Sequence, residues 1–101
     1  MHRVIPSAEA RTDMAEIDKY SIAEFGEAVA AEYMGGFKKA FKRLADFPRS
    51  GVAVPKLGKG LRCLVHKQHR IFYRAEEDVV VIIRIIHSKR ETWLALRRAG
   101  R

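Results

Sequence analysis

Residues 79–86 read VVVIIRII, and seven of these eight are β-branched and apolar. Such a run fits a strand buried on both faces, because stiff branched side chains pack well on a pleated surface and none of them needs water. One member, Arg84, carries a charge, and the run ends in His87, Ser88, Lys89, Arg90 and Glu91. A strand of this kind needs sheet neighbours, and the segments before it supply them. LRCLVHK (61–67) and RIFYRA (70–75) both read as strands. The links, Gln68-His69 and Glu76-Glu77-Asp78, are too short for anything but antiparallel hairpins, so the three strands form a meander.

The first half of the chain reads differently. HRVI (2–5) is a short edge strand closed by Pro6. Ser7 follows as a helix N-cap, with Glu9 in the first turn where the helix dipole favours a carboxylate. Ala10, Met14, Ile17, Ser21 and Phe25 recur at helical spacing, with Glu9, Asp13, Glu16 and Glu24 on the wet side. Gly26 closes this helix. A second carries the stripe Val29, Tyr33, Phe37, Ala40, Phe41 and Leu44, and Pro48 stops it. Its Gly35-Gly36 pair either kinks the helix or lets another segment pack closely. Residues 48–60 read as a loop from their glycines and prolines, and ETWLALRRAG as a short helical tail. The expected fold class is α+β: two helices packed on one face of a small antiparallel sheet, in the order β-α-α-β-β-β, with a short C-terminal helix or tail.

A chain of 101 residues with 48% apolar content supports one core, so residues 1–101 are read as a single domain. No segment approaches the ~20 apolar residues of a membrane span, and the polar start is not that of a signal peptide. Cys63 stands alone, which excludes an internal disulfide and fits the cytoplasm; no His/Cys cluster has metal-ligand spacing, so neither metal nor cofactor is expected. Charge is unevenly distributed. Residues 1–36 hold three Lys/Arg against seven Asp/Glu, and residues 37–101 hold seventeen against five. The basic second half suits an anionic partner.

The opening VIPSAEARTDMAEIDKY, then RLADFPRSG, GLRCLV, HRIFYR and IIRIIHSKRE, resemble the RelE/ParE superfamily of toxins from type II toxin–antitoxin modules, and the ParE branch most closely. The string from Gly60-Leu61-Arg62 through Arg70 and Tyr73-Arg74 to Arg84 and His87 is the most discriminating part. The resemblance implies a toxin held in a hetero-oligomer with a cognate, acidic, ParD-like antitoxin. It also implies a target: DNA gyrase for ParE-like members, ribosome-bound mRNA for RelE-like ones. On the ParE reading the chain acts by binding and carries no catalytic residue. Target contact then falls to His87, Lys89, Arg90 and Trp93, with Arg62, Arg70 and Arg84 as lesser candidates.

The alternative, a ribosome-dependent mRNA endoribonuclease, would use Arg62, His87 and Arg90, with guanidinium groups on the phosphate and imidazole moving the proton. Against it, the closing tyrosine of that branch is absent after Arg90, where the chain reads Glu91, Thr92, Trp93. His66 and His69 flank a tight turn and are expected to be solvated. Strict strand alternation sets Arg84 opposite the Val81/Ile83/Ile85 face. If the helices cover that face, Arg84 either projects from the open side as a docking group or pairs with a carboxylate such as Glu16 or Glu77.

Overall fold

The computed structural model describes residues 1–89. Its elements are β1 (Arg3–Pro6), α1 (Ala8–Phe25), α2 (Glu27–Asp46), β2 (Val52–Ala53), β3 (Leu61–His66), β4 (His69–Ala75) and β5 (Val79–His87). They form one sheet in the order β1-β5-β4-β3-β2. The meander β3-β4-β5 is antiparallel as its short links require. Two features extend the expected fold. β1 joins β5 in parallel, from Arg3↔Val79 to Pro6↔Ile82, and β2 pairs with Arg62 and Cys63 from inside the 48–60 loop. With β1 on one side and β4 on the other, β5 is an interior strand, which is why its sequence is apolar almost throughout.

Ser7 caps α1: its hydroxyl accepts the Ala10 N–H at 3.0 Å and donates to the Ile83 carbonyl at 2.8 Å, tying the helix start to β5. Gly26, at φ +88°, ends α1 and begins α2, a conformation that side chains rarely adopt. The second helix runs unbroken through Gly35 and Gly36 to Asp46. Of the two uses open to that glycine pair, close packing holds. The His66 ring lies against Gly36, where any Cβ would collide with it.

Both faces of the sheet are covered. Ala10, Phe37 and Leu44 from the helices pack on Ile71, Tyr73, Val80, Ile82 and Ile85. On the other face Val54 and Leu57 from the loop cover Leu61, Phe72, Ile83 and Ile86. The helix-facing set is therefore not Val81/Ile83/Ile85. A β-bulge causes the difference: Tyr73 pairs with Ile82 but Phe72 with Arg84, so Ile83 has no partner of its own and the alternation shifts by one residue beyond it.

The bulge also redirects Arg84, which does not project from an open face. Its Nε lies 2.7 Å from Asp13 Oδ2 and its Nη2 2.9 Å from Oδ1, with side-chain exposures of 11% and 9%. Asp13, expected on the wet side of α1, is buried and also accepts the Ile85 N–H at 2.9 Å. Of the two readings of Arg84 the ion pair holds, with Asp13 in place of Glu16 or Glu77. These hydrogen bonds raise the Arg84 pKa above its ordinary value, with burial opposing. At the other end of the stripe Phe25 is exposed, as are Tyr20, Ile22 and Val29.

Candidate functional site

The register of the meander brings three histidines into one row. His66 on β3 pairs with His69 on β4, and His69 with His87 on β5. Ile71 and Ile85, two residues along, face the helices, and the row shares that face. Tyr33 and Phe37 of α2 close over it. The Phe37 ring meets His66 edge-on at 4.6 Å, and the Tyr33 ring lies 5.0 Å from His66 and 5.6 Å from His69. Neither His66 nor His69 is solvated as expected: the two-residue link turns both rings under α2, where they are partly buried.

Hydrogen bonding fixes these rings. The Tyr33 hydroxyl lies 2.6 Å from His69 Nδ1, and His66 Nε2 lies 3.2 Å from the Tyr33 carbonyl. The Lys89 N–H donates to His87 Nδ1 at 3.1 Å, which leaves the His87 proton on Nε2, 3.3 Å from Gln68 Oε1. Burial pushes the His69 pKa down to about 4, with His87 and His66 adding to the shift and Asp13 opposing it. His69 is therefore neutral near pH 7. Burial raises the Tyr33 pKa, against a backbone hydrogen bond from Gln68.

Beside this row, at the α1–α2 junction, lies a cleft of about 450 Å³. Tyr33, His69 and His87 form one wall, Tyr20, Phe25 and Val29 another, and Asp13 and Glu16 supply its charge. No lysine or arginine lines it among the described residues. An aromatic cleft with carboxylates repels a phosphate and accepts apolar or cationic side chains.

Among the described residues, the sequence-derived site residues do not converge. Arg62 pairs in register with Tyr73, four rows along the sheet from the His66–His69–His87 row, a separation of about 13 Å at ~3.3 Å per residue. Its guanidinium donates to the Gly51 carbonyl at 2.7 Å and more weakly to that of Arg49 at 3.4 Å. Arg70 stands between Val65 and Ile86, on the face away from the helices. Arg84 is held by Asp13. His87 and exposed Lys89 stay together at the end of β5. Arg90 and Trp93, with the rest of the 91–100 tail, lie outside the described residues. Sequence reasoning missed Tyr33, His69 and Asp13 as parts of the site. The link is Lys67-Gln68, one residue earlier than the expected Gln68-His69, and this shift is what sets His66 opposite His69.

Comparison with known proteins is consistent with this architecture. The family model described as ParE toxin of type II toxin–antitoxin system, parDE, matches residues 4–92. Toxin ParE3 of Caulobacter vibrioides is 30% identical over 89 residues, covering 88% of this chain and 89% of that protein. A solved chain from the chromosomal ParDE TA system of P. aeruginosa superposes with a TM-score of 0.76 at 19% identity, covering 88% of this chain and 98% of its own; it shares the fold.

Proposed function

The chain belongs to the ParE toxin family of type II toxin–antitoxin systems, and from that premise we propose that it inhibits DNA gyrase by binding, in the cytoplasm, and is neutralised by an acidic, ParD-like antitoxin. The observation that supports a binding rather than a cleaving mechanism is the separation of Arg62 from His87, the two described groups that RNA cleavage would need. Arg62 stands four register rows from His87, and the cleft holding two of the imidazoles has no cation on its walls among the described residues. Proton transfer and phosphate stabilisation must act on one reacting group, so that separation weighs against the endoribonuclease reading.

The antitoxin half of the proposal rests on the exposed Tyr20, Ile22, Phe25 and Val29 at the helix junction. Aromatic and aliphatic groups gathered beside a cleft fit a segment that folds as it binds. Target contact is assigned to His87 and Lys89 with Arg90 and Trp93. Arg70 adds charge on the opposite face, whereas Arg62 and Arg84 hold the fold itself. The test titrates the purified chain into a gyrase supercoiling reaction and, in parallel, into ribosomes translating a message analysed by primer extension. Inhibition of supercoiling with intact message is expected. Codon-phased cuts in the message, with supercoiling unaffected, would overturn the reading.

A further inference from the structure

The turn after α2 belongs to the RLADFPRSG motif, and nothing in the gyrase reading uses its side chains. It is held unusually firmly. The buried Tyr73 hydroxyl donates to the Pro48 carbonyl at 2.8 Å and accepts the Gly51 N–H at 2.8 Å, while Arg62 clamps the Gly51 carbonyl. Gly51 is packed so closely against the Tyr73 ring and the Cys63 carbonyl that a Cβ would collide. The Ser50 N–H closes the turn on the Phe47 carbonyl at 3.0 Å. Such a frame normally serves to bury apolar groups, yet here it holds the Phe47 ring 66% exposed.

Around that ring the charge is almost entirely of one sign. Lys39, Lys42, Arg43 and Arg49 line the same concave surface as Phe47 and Ser50, all four exposed. The opposing group is Asp46, whose carboxylate touches Lys42 only at 4.0 Å. Lys39 and Arg43 are one helical turn apart, about 6 Å along α2. The Ser50 hydroxyl on this wall is shielded from solvent and has no hydrogen-bond partner among the described residues. A flat aromatic ring among cations matches the two parts of a nucleotide: a base with a π-face and a phosphodiester.

We infer that the α2–β2 turn is a binding site for single-stranded nucleic acid, with one unpaired base stacked on Phe47 and the adjoining phosphates on Lys39, Lys42, Arg43 and Arg49. The site lies away from the aromatic cleft and does not depend on gyrase as the target. An acidic peptide would satisfy the cations but leave the ring without a partner, which is why the strand is the better fit. Stacking needs an open base, so a duplex binds more weakly.

The test measures fluorescence anisotropy of labelled 12-nucleotide oligo(dT) and oligo(U) with the full chain, from ~50 to ~200 mM salt. Four phosphate contacts give a slope of log K against log salt of about −3, since each contributes about −0.7 on a single strand. Lys39→Ala/Arg43→Ala should halve that slope. Phe47→Ala should weaken binding about tenfold with the slope unchanged, because stacking releases no counterion. Which oligonucleotide binds better identifies the source as DNA or RNA. Three results would overturn the proposal: a duplex of equal length binding as tightly, poly-glutamate of equal charge competing as well as oligo(dT), or Phe47→Ala binding unchanged. Circular dichroism of each variant establishes that folding is intact, as expected for exposed side chains.

Discussion

Asp13 and Arg84 join α1 to the bulge of β5, and their replacement gives the sharpest stability prediction. Asp13 receives three hydrogen bonds, two from the guanidinium at 2.7 and 2.9 Å and one from the Ile85 N–H at 2.9 Å. Both side chains are about nine-tenths buried, so solvent screening relieves little of the penalty when one partner is removed. Asp13→Leu removes the carboxylate that holds a mostly buried guanidinium and should cost about 3–5 kcal/mol; Arg84→Met takes the guanidinium from a buried carboxylate and should cost a similar amount. The double variant removes both charges and fills the space with apolar groups, leaving the Ile85 N–H unpaired at about 1–3 kcal/mol. Summed single losses would reach about 6–10 kcal/mol, so the cycle predicts a coupling of several kcal/mol. Urea unfolding followed by circular dichroism measures all four proteins, with equal m-values as the check on two-state behaviour. Additive losses, or an Asp13→Leu cost below about 1 kcal/mol, would refute the claim that this pair is a buried clamp.

The His69 pKa of about 4 lies below the ordinary value of about 6.5, so the unfolded chain binds the proton more readily and stability falls as pH drops between those limits. With screening allowed for in a half-buried ring, the loss attributable to it is about 1–2 kcal/mol, and His69→Gln should flatten the pH dependence of thermal unfolding by that amount. Gly35→Ala, with open space around the new methyl group, should stabilise the protein by up to about 1 kcal/mol, whereas Gly36→Ala must displace the His66 ring and should destabilise it; thermal melts of the pair decide this. Tyr73→Phe deprives Pro48 and Gly51 of their shared hydroxyl, and urea unfolding should register a loss of about 1–3 kcal/mol.

The sequence made local structure legible wherever one residue type has one physical use. Ser7 before an acidic first turn, Gly26 between two amphipathic runs, and the three-residue link Glu76-Glu77-Asp78 each admit few conformations, and each appears where expected; the two-residue link falls one residue earlier than read, at Lys67-Gln68. The bulge at Ile83 was hidden because valine and isoleucine pack equally well on either face, so nothing in VVVIIRII marks where alternation breaks. Arg84 was the only clue, and its partner lies 71 residues earlier, on a helix face that periodicity assigned to water. The histidine row was hidden for a similar reason. A link read one residue late pairs 67 with 70 and hides the alignment of His66 with His69, and the side of the sheet that α2 covers depends on packing around Gly36 that no local pattern encodes.

Helix α2 connects the two surfaces, so the two proposals together predict a competition between their partners. Val29 near its start lines the aromatic cleft, and Arg43 near its end lines the basic turn; at ~1.5 Å per residue these lie about 21 Å apart. On the proposed reading an acidic antitoxin segment would satisfy its apolar groups at Tyr20, Phe25 and Val29, but the carboxylates of Asp13 and Glu16 there would repel its charges. Those charges would find a complement further along α2, at Lys39, Lys42 and Arg43. A segment of about fourteen residues in helical form covers that distance. Antitoxin added to a chain already holding oligo(dT) should therefore displace the oligonucleotide, returning its anisotropy to the free value at one antitoxin segment per toxin. A synthetic antitoxin C-terminal segment, free of any DNA-binding portion, is the reagent to use. Anisotropy that rises instead, with the segment and the strand bound together, would mean that the antitoxin leaves the basic end of α2 open and that its acidic groups are neutralised elsewhere.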